Sequence, residues 1–127
     1  MEMNQARVMV IDDQAVMRIL IVGSLRKLGV QHLHAYADGA SALTALASTR
    51  PDLILTDVQM QPMDGVSLVR AVRALSDPAL AATRVVFLSG DNSDHTRHEA
   101  AALDVRDFLA KPPTPAALAD TLARVLA

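Results

Sequence analysis

The chain has no cysteine and no tryptophan, and only 2% of its residues are aromatic. Without cysteine there is no disulfide scaffold, no thiolate metal site and no cysteine nucleophile. No apolar run approaches the ~18–20 residues that a membrane span needs. The opening residues Met1-Glu2-Met3-Asn4 lack the basic-then-apolar form of a secretory signal, so a cytoplasmic setting is expected. Positive charge is not in excess. Twelve Lys and Arg against fourteen Asp and Glu give a formal charge of −2, which excludes a broad basic field for nucleic acid. Glutamate and lysine are themselves scarce: the acids are twelve Asp with only Glu2 and Glu99, and the bases ten Arg with only Lys27 and Lys111. Lysine is a flexible point charge and arginine a rigid planar fork. A lysine at 111, before Pro112-Pro113, therefore stands out in a chain that otherwise uses arginine.

What is present is ordinary for a globular protein. The 127 residues are 51% hydrophobic and 20% charged. Since a domain runs to roughly 150 residues, a single domain over 1–127 is expected. The hydrophobic pattern alternates between two periods. Val8-Met9-Val10-Ile11 is a short apolar run ending at Asp12-Asp13, too short for a helix and typical of a strand buried on both faces. Residues 14–28 read as a helix stopped by Gly29. Residues 30–36 read as a strand, interrupted by His32 and His34 as an edge strand can be. A helix is expected over about 40–48, and a strand at 53–56 ends at Asp57. The second half continues with a helix over 66–75 broken by Asp77-Pro78, a strand at 85–88 ending at Ser89-Gly90, and a helix over 94–102 capped by Ser93. A last strand over 105–110 ends at Lys111. A last helix starts at Thr114-Pro115, an N-cap followed by proline at the first helical position. Five strands alternating with five helices imply an α/β fold, a doubly wound parallel sheet with helices on both faces.

In such a sheet, ligands bind beyond the carboxyl ends of the strands. Four strand ends carry polar groups: Asp12-Asp13, Asp57, Ser89 and Lys111. Three carboxylates a few Å apart repel by roughly 4 kcal/mol per pair at 4 Å and an effective dielectric near 20. One lysine neutralises only one of them. Either some acids take up protons or a divalent cation sits among them, and an all-oxygen ligand set favours a hard ion such as Mg²⁺. The same groups suit phosphoryl transfer. Asp57 can be an oxygen nucleophile, Asp12 and Asp13 can hold a metal, and Lys111 and the Ser89 hydroxyl can bind phosphoryl oxygens.

Asp12-Asp13, Asp57 with Met60, Met63, Asp64 and Gly65, Ser89-Gly90 and Lys111-Pro112 together resemble the receiver domain of two-component response regulators, over essentially the whole chain. The stand-alone chemotaxis regulators are similar in length. The resemblance implies a flavodoxin-like (βα)5 sheet of order 2-1-3-4-5. It implies phosphorylation of Asp57 by a histidine kinase or a phosphotransfer protein, with Mg²⁺ held by Asp13, Asp57 and the backbone carbonyl of Gln59 and assisted by Asp12. A cis Lys111–Pro112 bond is also implied. Ser89 and Phe108 are the implied switch pair: the phosphoryl group draws the Ser89 hydroxyl inward and Phe108 moves into the vacated space. Phe108 lacks the hydroxyl of the commoner tyrosine, so packing alone is expected to bias its rotamer. The helix at 94–102, the strand at 105–110 and the helix at 114–126 form the implied output face, acting on an unknown downstream protein, with the chain a monomer or a phosphorylation-dependent dimer.

The chain departs from the family pattern in places. Ser89 replaces threonine, Gly90 replaces alanine and leaves the site more open to water, and Pro62 falls one place late in its loop. Gln59 and Asp91 stand where relatives tune phosphoryl lifetime. In the first helix, Ile19, Leu20, Ile21 and Val22 run in succession, more than one helix face can bury; Ile21 and Val22 are candidates for a kinase-docking strip. Two other functions compete. A haloacid-dehalogenase-like phosphatase would carry Asp-x-Asp after the first strand, where this chain reads Asp12-Asp13-Gln14. A binding module that never takes phosphate would not need the full acidic set. With the chain ending at Ala127, output through protein contacts rather than enzymatic activity is expected. Taken singly, the motifs have plainer roles: Asp12-Asp13 as a helix cap, Asp64-Gly65 as a turn, and His95 and His98 as a solvated helix face.

Overall fold

A computed structural model describes residues 1–90 and 93–127. Five parallel strands form one sheet: β1 Arg7–Ile11, β2 His32–Tyr36, β3 Leu53–Asp57, β4 Arg84–Ser89 and β5 Asp107–Ala110, in the order β2-β1-β3-β4-β5. The registers Val8↔Leu53, Leu53↔Arg84 and Val86↔Asp107 bring the carboxyl ends of β1, β3, β4 and β5 to one rim. Around the sheet lie α1 Ala15–Lys27, α2 Gly39–Thr49, α3 Gly65–Arg73, α4 Pro78–Ala81, α5 Asp94–Ala102 and α6 Pro115–Val125. Among the described residues, no helix is long and apolar enough to cross a membrane.

Each central strand feeds two cores, because successive side chains point to opposite faces. Val8 and Val10 of β1, Leu53 and Leu55 of β3 and Val86 and Leu88 of β4 pack with Ile21 and Leu25 of α1 and Leu118 and Leu122 of α6. Met9, Ile11, Ile54 and Phe87, from the alternate positions, pack with Leu46 of α2, Val69 and Val72 of α3 and Ala100 of α5. This explains why β1, β3 and β4 read as continuous apolar runs, while the edge strand β2 leaves His32 and His34 exposed.

Local signals set the helix ends. Gly29, at φ 99°, takes the left-handed conformation past α1 that a side chain would strain. Asp38, Asp64, Ser93 and Thr114 each accept a backbone N–H of the first turn of α2, α3, α5 and α6. Asp77-Pro78 does more than end the preceding helix. Asp77 caps a separate four-residue turn, α4, so the described residues form six helices where five were expected.

One sequence expectation is corrected here. Ile21 is 1% exposed and sits in the α1/α6 core, and Val22 packs half-buried against that core. The outward-facing apolar side chains of α1 are Val16 at 70%, Ile19 at 71% and Leu20 at 53% exposure. The reason is helical geometry. At 3.6 residues per turn, Ile21 and Leu25 share the stripe facing the sheet, and the residues just before Ile21 turn away from it.

Candidate functional site

Parallel pairing brings the polar strand ends together. Asp12 follows β1, its backbone N–H bonded to the Tyr36 carbonyl at 3.2 Å. Asp57 is the last residue of β3 and Ser89 the last of β4. Lys111 follows β5, and its backbone N–H donates to the Ser89 carbonyl at 3.3 Å. Lys111 Nζ lies 2.9 Å from Asp57 Oδ2 and 3.0 Å from Asp12 Oδ2, so a single ammonium bridges two carboxylates. Carboxylate oxygens of Asp12, Asp13 and Asp57 all fall within 4.8 Å of one another. Asp12 is fully buried, Asp57 5% exposed, and Asp13 open to solvent.

The surroundings account for the charge states. Burial pushes the Asp57 carboxyl above its ordinary value, and the neighbouring Asp12 charge adds to this; the bond and charge of Lys111 and the Gln59 N–H work against it. For Lys111, burial alone would lower the ammonium, but its contacts with Asp57 and Asp12 outweigh burial and raise it overall. One positive charge thus serves two buried acids, with a third acid beside them. Asp12 Oδ1 is occupied by the Gln14 N–H at 2.9 Å. Asp12 Oδ2 is buried without an aligned hydrogen bond, although the lysine ammonium stands near it. A buried anionic oxygen left in that state suits a cation, and the oxygen-only donor set suits a hard divalent ion such as Mg²⁺.

The pocket over these groups has a volume of about 410 Å³ and is lined by Asp13, Gln14, Met17, Asp57, Gln59, Ser89, Gly90, Lys111 and Pro112. Asp12, Asp13, Asp57, Ser89, Gln59 and Lys111, all singled out from the sequence, are therefore gathered at one rim. The Gln59 backbone N–H donates to Asp57 Oδ1 at 3.3 Å. The Lys111–Pro112 bond is cis, and so is Gln61–Pro62. At Gly90, an added Cβ would meet nothing within 4 Å among the described residues. Asp91 lies outside the described residues. Gly65 is required where it stands: its N–H donates to the Val58 carbonyl at 2.8 Å, and a Cβ there would lie 2.1 Å from the Asp57 carbonyl oxygen. Asp64 is a helix cap, bonded to the Ser67 N–H at 2.7 Å, in keeping with its plain reading as a turn residue.

Two arginines escaped the sequence reading. Arg18 Nη1 donates to the Asp12 carbonyl at 2.7 Å. The Arg97 guanidinium lies 4.9 Å from the Phe108 ring centroid, and that ring lies 5.7 Å from the Phe87 centroid. Packing alone therefore does not bias Phe108; a cation over the ring contributes as well. The Arg18 contact was within reach of sequence reasoning, since that residue lies one turn beyond Gln14. The Arg97 contact joins α5 to β5 and leaves no short-range signal.

Comparison with known proteins agrees with this geometry. The response regulator receiver domain family matches residues 8–123. The chemotaxis protein CheY of Pseudomonas aeruginosa is 32% identical over 119 residues, which cover 94% of this chain and 94% of that protein. The crystallised CheY4 of Vibrio cholerae superposes with a TM-score of 0.87 at 32% identity, covering 94% of this chain and 98% of the other. The receiver domain of the Arabidopsis thaliana histidine kinase CKI1, solved in complex with Mg²⁺ and BeF₃⁻, superposes with a TM-score of 0.86 at 25% identity, covering 98% and 91%. With a matching sequence family, a matching sheet order and an acidic cluster at the expected rim, the chain belongs to the response regulator receiver domain family of two-component signalling.

Proposed function

We propose that Asp57 is the phosphoacceptor of a signalling switch, loaded by a histidine kinase or a histidine phosphotransfer protein. An Asp57 carboxylate oxygen attacks the phosphorus of a phosphohistidine. The new O–P bond forms as the P–N bond breaks, and the imidazole leaves with the electron pair and takes a proton from solvent. Lys111 and the Ser89 hydroxyl bind phosphoryl oxygens. Asp12, Asp13, Asp57 and the Gln59 carbonyl would hold Mg²⁺, which supplies neutralisation of charge on the transferring group. The observation that carries this reading is the half-buried lysine bridging the buried Asp57 and Asp12, with Asp13 alongside and no aligned hydrogen bond at Asp12 Oδ2. The CKI1 receiver complex with Mg²⁺ and BeF₃⁻ supports the same chemistry by likeness.

The donor docks on the exposed strip Val16, Ile19 and Leu20 of α1, beside the pocket residues Gln14 and Met17. The message leaves through Ser89 and Phe108 to the face formed by α5, β5 and α6, where a downstream protein or a second copy binds. The setting is cytoplasmic, and the chain acts as a switch on which chemistry is done, with only self-directed phosphotransfer and dephosphorylation of its own.

The test is exposure to Mg²⁺ with acetyl phosphate or beryllofluoride. A stable adduct, absent in Asp57→Asn, is expected. Steady turnover of phosphate esters would instead indicate a phosphatase, and no response a binding module. Ile19→Glu should slow transfer from a phosphohistidine donor without slowing reaction with acetyl phosphate; equal slowing of both would remove the docking strip.

A further inference from the structure

We infer that Arg18 is a positioning residue for the Asp12–Asp13 pair. The inference rests on the reading of Asp12, Asp13 and Asp57 as a metal and phosphoryl site. The carbonyl that Arg18 Nη1 grips at 2.7 Å belongs to the peptide unit joining Asp12 to Asp13. That peptide plane decides where Asp13 points relative to Asp12. Asp12 itself is pinned on its other atoms: its N–H donates to the Tyr36 carbonyl at 3.2 Å, and its Oδ1 accepts from Gln14 at 2.9 Å. Asp13, by contrast, is exposed and has no such fixings among the described residues. The peptide orientation is therefore what turns its carboxylate toward Asp12 and Asp57, within 4.8 Å, rather than outward.

Arg18 is well placed to hold that plane. It is half-buried, its own backbone N–H is bonded to the Gln14 carbonyl at 3.1 Å, and its guanidinium makes one hydrogen bond among the described residues, the one to Asp12. A charge-assisted bond from a helix-anchored side chain is stronger than a neutral one. Three carboxylates that repel one another need such an anchor, because repulsion favours swinging the exposed one away.

The two roles open to Arg18 predict opposite signs. As a nearby positive charge only, it would oppose cation uptake, and its removal would tighten Mg²⁺ binding. As a positioning group, its removal weakens binding. Calorimetric titration of Mg²⁺ into wild type, Arg18→Met and Arg18→Lys tests this. Arg18→Met is expected to bind about tenfold more weakly, in the range typical of losing a group that orients a metal ligand. Arg18→Lys, which keeps a donor of less rigid geometry, should fall between the two. Unchanged or tighter binding by folded Arg18→Met overturns the inference. A second measurement needs no metal: in Mg²⁺-free buffer, the NMR order parameter of the Asp13 N–H should fall in Arg18→Met while those in the middle of α1 are unaffected. An unaltered order parameter at Asp13 also overturns it. If wild type takes up no Mg²⁺, the proposed function fails, and the order parameter alone decides the role of Arg18.

Discussion

The two rims of the sheet use the same side-chain types to opposite ends. At the amino-terminal rim, Arg50 pairs with Asp77, Arg106 with Asp104 and Arg124 with Asp107, roughly one cation to one anion. Apart from the half-buried Asp107, these side chains face water; Arg106 and Asp104, for example, are 75% and 80% exposed. At the carboxyl-terminal rim, one lysine serves Asp12 and Asp57, both nearly sealed from solvent, with Asp13 beside them. Balanced exposed pairs are worth little, because water and salt screen them. An unbalanced buried cluster keeps its field and is set up to receive a cation and an anionic group. Chemistry is therefore marked by imbalance under burial, not by the number of charges.

The largest effect should come from Lys111→Met, which removes the cation that bridges the Asp12 and Asp57 carboxylates. We expect the rate of phosphorylation by acetyl phosphate to fall by about 10²–10³-fold, as for loss of one preorganised donor to a transition-state oxygen. The Asp57 carboxyl should also titrate still higher, because burial and Asp12 would act on it unopposed by Lys111; carboxyl NMR of the Mg²⁺-free protein reads this directly. In wild type the direction is already upward, so the linkage sign is fixed. The stability that protonated Asp57 contributes is fully present below its unfolded value of 3.8 and is lost as pH rises through the raised folded value. Asp57→Asn should remove that segment from a plot of stability against pH; an identical curve would contradict the assigned shift.

Next in size is Gly65→Ala. A methyl cannot fit 2.1 Å from the Asp57 carbonyl oxygen, so β3 and α3 must separate. Overpacking of this kind costs about 1–3 kcal/mol, measurable by urea unfolding. Gly90→Ala, where an added Cβ meets no described residue within 4 Å, serves as the control and should leave the urea midpoint in place.

A smaller change is expected for Arg97→Ala. A cation over an aromatic face at an exposed site contributes about 0.5–1 kcal/mol, equivalent to a two- to fivefold change in an equilibrium constant. If Arg97 holds Phe108 in its present half-buried place, its loss should tighten beryllofluoride binding by that factor. Binding weakened or unchanged would show that the contact does not restrain the ring. The smallest effect should follow from Arg106→Ala on the water-facing rim, where melting curves should overlay those of wild type. A clear loss of stability there would break the contrast between the two rims.

Much of this was legible in the sequence because local chemistry announces strand ends. Apolar runs that stop abruptly at Asp12, Asp57, Ser89 and Lys111 mark where buried strands meet water, and parallel topology then forces those ends together. Thr114-Pro115 and Gly29 likewise fixed helix ends through backbone rules that need no tertiary partner. Ile21 was misjudged for a physical reason. Four successive apolar residues tell that a helix buries one side and exposes another, but not how the helix is rotated on the sheet. That rotation is set by Leu118 and Leu122 of α6, far along the chain. Arg97 over Phe108 was hidden for the same reason: a contact between a helix and a strand carries no period. The α4 turn was missed because Asp77-Pro78 reads equally as the end of one helix and the start of another.

The alternation of side chains through the strands has a further consequence. Val16, Ile19 and Leu20 belong to a helix on one side of the sheet, whereas Phe108, Phe87 and Arg97 belong to the layer on the other. On the proposed function, a donor seated on α1 would lie beside α6, in the same layer, and would leave α5 and the half-buried Phe108 of the far layer clear. A listener that reads the α5 side would then engage while the phosphoryl source is still in place, whereas one that needs α6 would have to wait its turn.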